Sequence, residues 1–257
     1  MILNKQSIED KIDKNLSLIV YKTIDSTNTQ AKLAAERGEY KRAVFIASEQ
    51  TAGRGRLGRS FVSSEDKGLY LTILLNEEMP ASLATSLTTY MAVTASRAIR
   101  SLSGLEVKIK WVNDLYSGGK KLAGILTEGK AAQNGESLAY AVIGIGINVR
   151  RQEFPEEVRD IATTLEDECK MSFDTNELAS LIINEFFANL HLVGAKEIAD
   201  EYKSRSFVIG KHVTVIKPTV RYDALVTDIT DKCELKLLLT DGTEEILSTG
   251  EVSIRPV

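Results

Sequence analysis

Two periods of hydrophobic spacing alternate along this chain, and the switches between them mark its elements. Leu16–Asp25, "LSLIVYKTID", is rich in β-branched residues and predicts a strand. "STNTQAKLAAERGE" follows with Ser26, Thr27 and Asn28 as cap candidates, an Ala/Leu face and Gly38 as a stop, so it predicts a helix. Ala43–Gln50 and Leu69–Leu75 predict two more strands. Pro80 is expected to open a long helix in which Leu83, Leu87, Met91, Ala95 and Ile99 fall near helical spacing. Val107–Tyr116 sets Val107, Ile109 and Trp111 against Lys108 and Lys110, the alternation of one half-buried strand. A Gly118-Gly119 turn leads into "KKLAGILTEGKAA", and Asn134-Gly135 marks a hairpin into "SLAYAVIGIGINVRR". Helical patterns fill most of Glu156 to Ser204. After Gly210 the texture becomes short strand-like runs with turns such as Asp241-Gly242, the look of a small β-barrel. The pattern predicts an α/β (α+β) chain, with strands and helices interleaved over residues 1–206 and a barrel over residues 207–257.

Composition narrows the chemistry. Of the 257 residues, 43% are apolar and 26% charged, which suits a globular chain with a real core. The net charge of -4 means that any anion binding must be local. Two distant cysteines, Cys169 and Cys233, and two histidines, His191 and His212, leave little material for a zinc site or a nucleophile-histidine unit. The first residues are too polar for a signal peptide and no apolar run is long enough to span a membrane, so a cytoplasmic protein is expected.

One segment departs from the acidic balance. Gly53 to Arg59 packs three glycines and three arginines into seven residues. Gly53, Gly55 and Gly58 spell G-x-G-x-x-G, but a dinucleotide fingerprint needs a helix to start inside the glycines. Here Arg59–Lys67 has no helical repeat and a strand follows at once. A Walker A loop and a kinase H-R-D are absent as well. What remains is a loop with backbone freedom and fork-shaped donors for phosphate or carboxylate.

"TAGRGRLGRSF", "KWVNDLY", "KKLAGILTE", "VIGIGINV", "DSTNTQAK" and "STGEVSIR" together resemble the biotin protein ligases in order and rough spacing, over most of the chain from about Leu16. The resemblance implies a short form without an N-terminal DNA-binding domain, a mixed-sheet catalytic domain of the biotin/lipoate ligase type and an SH3-like barrel. It implies that biotin and ATP, with Mg2+, give biotinyl-5'-AMP, and that biotin then passes to a lysine of a biotin carboxyl carrier protein, in acetyl-CoA carboxylase or a related carboxylase. By the same resemblance Ser26, Thr27, Asn28, Gln50, Gly53, Arg54, Gly55, Arg56, Lys121, Gly124, Gly144 and Gly146 meet biotin. Arg56, Arg59, Phe61, Lys110, Trp111, Asn113 and Asn148 meet ATP or the adenylate. Lys121, Arg56 and Asp114 are the catalytic candidates, with Asp114 serving either Mg-ATP or the acceptor lysine.

Ser26 and Thr27 at a helix start offer N–H groups and hydroxyls suited to a ureido ring. Glycines inside a strand, Gly144 and Gly146, are costly unless a ligand or a tight packing partner needs the space. Trp111 is also a natural core anchor. Val112 and Phe61 stand where relatives often carry proline and tryptophan. An acyl-adenylate is destroyed by water, so the arginine loop is expected to order around it. No sequence-specific DNA binding is expected, and the sequence leaves monomer and homodimer both open. Lipoate ligation and single-strand nucleic-acid binding are the rivals. The second is disfavoured because no aromatics interleave with the arginines.

Overall fold

The computed structural model describes residues 3–133, 135–217 and 219–254. A short helix α1 (Lys5–Glu9) precedes strand β1 (Ser17–Ile24). Helix α2 (Thr27–Glu36) then crosses over to β2 (Arg42–Gln50), which pairs with β1 in parallel. The glycine-arginine loop joins β2 to β3 (Gly68–Leu75), and β4 (Met79–Pro80) precedes the long helix α3 (Leu83–Ser103). Strands β5 (Lys108–Lys110), β6 (Asp114–Ser117), β7 (Lys120–Ala131) and β8 (Ser137–Asn148) complete one sheet. Its order is β1-β2-β3-β8-β7-β6-β5, with β4 added against β8.

Two sequence expectations change here. Pro80 does not open the helix, because it pairs with Ser137 as the end of β4, and α3 begins three residues later. Val107–Tyr116 is not one strand, because the chain reverses at residues 111–113 and pairs Lys108 with Tyr116 and Lys110 with Asp114. Alternation could not show that reversal, since both arms keep inward apolar residues, Ile109 and Leu115. The Asn134-Gly135 turn lies partly outside the described residues, although the β7–β8 antiparallel pairing it implies is present.

Period-2 geometry gives each strand two faces, and the core clusters follow them. Val44 and Ile46, Leu71 and Ile73, and Ile143, Ile145 and Ile147 point to one face, against α3 and the later helices. Ala43 and Phe45, Leu74 and Val142 point to the other and meet Ala31, Ala34 and Ala35 of α2. That second face carries the glycines. Gly124 lies opposite Gly146, and Gly144 lies opposite both Thr72 and Leu126. Strand side chains there are missing beside the start of α2, which leaves a hollow in the sheet.

Helices α4 (Glu156–Arg159), α5 (Leu165–Cys169), α6 (Thr175–Ala188) and α7 (Lys196–Arg205) follow. The barrel strands are β9 (His212–Ile216), β10 (Arg221–Ile229), β11 (Leu235–Leu239), β12 (Glu244–Leu247) and β13 (Glu251–Ile254). They form an antiparallel sheet of order β12-β11-β10-β9-β13. This small unit is seated on the β5–β6 hairpin. Trp111 is buried and its indole N–H donates to the Cys233 carbonyl at 2.7 Å. Tyr202 of α7 donates its hydroxyl to the Val112 carbonyl at 3.0 Å, and the rings of Tyr116 and Phe207 lie 5.2 Å apart.

Candidate active site

The hollow over the strand glycines is a cavity of about 110 Å³. Its walls come from the start of α2, the arginine loop, the 111–113 turn with β6, and the β7 and β8 glycines. Elements distant in sequence therefore converge because the sheet order places β7 and β8 beside β3.

Ser26, Thr27 and Asn28 all line it and are nearly fully buried. The expectation of free N–H groups at this helix start needs correction. The Ser26 N–H is taken by the Asp25 carboxylate at 2.7 Å, and the Thr27 N–H by Gln50 Oε1 at 2.9 Å. At these two positions the side chains therefore carry the polar face. Gln50 donates from its amide to Ser63 Oγ at 3.0 Å, which fixes which end of the carboxamide faces Thr27.

The arginine loop folds over the cavity as a narrow hairpin. Arg54 and Ser60 bridge, Gly55 N–H donates to the Arg59 carbonyl at 2.6 Å, and Phe61 N–H donates to the Gly53 carbonyl at 3.0 Å. Gly53 does not line the cavity. A Cβ there would meet the Phe61 carbonyl and Ser63 Oγ, so this glycine lets the two arms of the loop approach. Arg56 donates to Asn113 Oδ1 and to the Gly250 carbonyl, both at 3.1 Å. Arg59 pairs with the Glu251 carboxylate at 2.6 Å.

Lys121 and Asp114 face each other across adjacent strands. The Lys121 ammonium lies 2.7 Å from Asp114 Oδ1. That oxygen is buried and has no aligned hydrogen-bond donor, so charge alone holds the pair. Lys120, one residue earlier, is exposed at the first position of β7. Backbone pairing of Lys121 with residues 161–163 braces the strand behind the ammonium: its N–H donates to the Ile161 carbonyl at 2.7 Å, and its carbonyl accepts from Thr163 N–H at 3.0 Å.

A Biotin/lipoate A/B protein ligase family profile matches residues 20–148, and a Biotin protein ligase C terminal domain profile matches residues 208–255. The chain belongs to the Biotin/lipoate A/B protein ligase family. It is 33% identical to the bifunctional ligase/repressor BirA of Escherichia coli over 99% of this chain and 78% of that protein. The Bacillus spizizenii protein of the same name is 38% identical over 58% of this chain. In that match the chain spans about half the length of the relative, 46%. The biotin protein ligase of Aquifex aeolicus in complex with biotin and ATP superposes with a TM-score of 0.79 at 29% identity, over 94% of this chain and 99% of that one.

Within this family frame, three residues singled out from the sequence stand outside the main cavity in addition to Gly53. Trp111 is engaged with the barrel, as described. Lys110 lies with its ammonium 5.7 Å from the centre of the Tyr116 ring, and burial lowers its pKa against the raising effect of Asp114. Asn148 donates to the Thr163 carbonyl at 3.1 Å and borders a smaller hollow with Phe61, Lys121, Phe154 and Ile161. Phe61 forms the partition between the two hollows. The three strand glycines also have protein neighbours. A Cβ on Gly146 would come 2.5 Å from the Phe61 ring, and one on Gly124 would press on Lys121 at 3.2 Å. A Cβ on Gly144 would overlap the Asn28 carboxamide.

Sequence reading missed Thr72, Glu128 and Glu251. Thr72 and Glu128 lie inside strand runs whose polar members looked like ordinary alternation. Glu251 belongs to "STGEVSIR", quoted above for the resemblance only, and nothing in its spacing says that it reaches the arginine loop.

Proposed function

We propose that this chain is a biotin protein ligase, which joins biotin to ATP with release of pyrophosphate and then transfers the biotinyl group to one lysine of a biotin carboxyl carrier protein. The observation that carries this reading is the convergence of the Lys121 ammonium and the Arg56 guanidinium on a cavity floored by glycine and headed by Ser26, Thr27 and Asn28. One end of such a cavity suits a small polar ring, and the other suits a carboxylate meeting a phosphate.

In the first half-reaction a carboxylate oxygen of biotin attacks the α-phosphorus of ATP and pyrophosphate leaves. Both reactants are anions, so two fixed cations lower their repulsion. Lys121 holds the carboxylate and the α-phosphate as charge shifts between them, a compact point charge suited to that task. Arg56 covers the product from the loop side, and its forked donors suit phosphate oxygens. Arg59 and Asn113 act on the nucleotide side. Lys110 adds a cation behind them, and the Trp111–Asn113 turn forms that wall.

Mg2+ usually binds one or two protein carboxylates and completes its shell with substrate phosphates and water. Asp114, with its buried and undirected Oδ1, fits that demand. The ion would neutralise phosphate charge. In the second half-reaction the acceptor amine, mostly protonated near neutral pH with an ordinary pKa of about 10.4, must lose a proton before it attacks the acyl carbonyl. Asp114 is the carboxylate proposed to draw that ammonium in and take the proton. AMP then leaves, and the amide to the carrier remains.

ATP-pyrophosphate exchange, run with biotin, with lipoate and with neither acid, tests the reading. Exchange with biotin alone is the expected outcome. Exchange driven by lipoate would move the chain to the lipoate branch of the family, and none with either acid would remove the adenylation step.

A further inference from the structure

Behind the head of the cavity lies a buried polar layer that the proposed reaction does not use. Thr72, on β3, is completely buried, and its hydroxyl lies 2.8 Å from Thr27 Oγ1 and 2.7 Å from Asn28 Oδ1. Asn28 donates one amide hydrogen to the Leu126 carbonyl at 3.1 Å and the other to Glu128 Oε2 at 2.9 Å. Glu128 is held in turn by Lys32 at 2.8 Å, with Arg54 at 3.8 Å. Burial would raise the Glu128 carboxyl, but the bonds from Lys32 and Asn28 and the nearby Arg54 outweigh it and hold the group below the ordinary carboxylate value.

Counting hydrogens fixes the polarity of the cavity head. A hydroxyl carries one hydrogen, and an amide oxygen can only accept. Thr72 therefore donates to Asn28, and its contact with Thr27 requires Thr27 to donate. The other contact open to the Thr27 hydrogen is Gln50 Oε1, at 3.0 Å. On either choice that hydrogen stays within the protein. Both hydrogens of Asn28 are spent as well. What the side chains of these two cavity-lining residues have left to offer is lone pairs, on Thr27 Oγ1 and Asn28 Oδ1. In a buried cavity such acceptors are costly unless a ligand brings donors to them.

We infer that Thr72 and Glu128 are positioning residues which turn Thr27 and Asn28 into a pair of hydrogen-bond acceptors, and so select a headgroup bearing N–H donors, as in a cyclic urea. The inference rests on the biotin reading and deepens it. A headgroup without N–H, such as a dithiolane, would leave the remaining lone pair on each oxygen without a donor, a kind of mismatch that binding sites reject.

Calorimetric titration with biotin and with an N-methylated biotin, which has lost one urea hydrogen, tests this. Wild type should prefer biotin. Thr72→Val keeps the shape and removes the hydroxyl, and should weaken biotin roughly 10- to 100-fold. It should weaken the N-methyl compound less, so that the preference shrinks. Thr72→Ser should restore the preference. Glu128→Met should shrink it likewise, and Glu128→Gln, which keeps an acceptor oxygen, should retain it. Thermal unfolding of each variant separates lost folding from lost recognition. Wild type that binds no biotin overturns the ligase reading and this inference together. Biotin binding by wild type, with an unchanged preference in folded Thr72→Val, overturns the inference alone.

Discussion

Lys121 and Asp114 show how much a single pair of side chains decides. The ammonium has its carboxylate partner on one side and the cavity on the other, so its charge is both anchored and available. Lys121→Ala is expected to cut biotin-dependent pyrophosphate exchange by roughly 100-fold or more while leaving the thermal transition in place. Exchange at the wild-type rate would take Lys121 out of the reaction. The motif reading chose Lys121 over Lys120, and burial agrees, because strand alternation turns Lys120 outward. The glycines were half legible. A glycine in a strand announces a close approach, but the sequence does not name what approaches. Here Asn28, Phe61 and Lys121 fill the room above Gly144, Gly146 and Gly124. Thr72 and Glu128 were not legible, because a buried threonine inside a strand has the same pattern as one that only packs.

At the scale of elements, the arginine loop and the β5–β6 hairpin depend on each other. Arg56 reaches Asn113 in the hairpin turn, and that turn is fixed from behind by Trp111 and by Tyr202 of α7. The loop can therefore shield an adenylate while one of its own arginines reports the position of the nucleotide wall. Arg56→Ala is expected to release biotinyl-adenylate, which would acylate exposed lysines at large. Mass-spectrometric mapping of biotinylated lysines on a bystander protein checks it. A bystander no more labelled than with wild type would assign shielding to other residues. The strands and most helices were readable from hydrophobic period, since each period reports one buried face. The hairpin was not, because its two arms continue the same alternation across a three-residue turn. The start of α3 was displaced for a similar local reason: Pro80 is compatible with a helix start and with an edge strand alike.

On the scale of the whole molecule, the change of texture after Gly210 located the barrel, while its contacts stayed hidden. Composition gave no sign that a tryptophan in the β5–β6 hairpin would donate to a barrel carbonyl 122 residues later. Nor did it show that Gly250 and Glu251 would receive Arg56 and Arg59. Those two contacts have a thermodynamic corollary. Free energy exchanged between a ligand and the arginine loop is shared, through reciprocity, with whatever else the loop touches. Biotin and ATP together should then slow amide hydrogen exchange in β13 (Glu251–Ile254), a strand that reaches the cavity only through its first residue, Glu251. Unchanged exchange there would mean that loop and barrel respond separately. Slowed exchange would make the barrel a partner in ligand retention, its rigidity set by the occupancy of a cavity built almost wholly from the other domain.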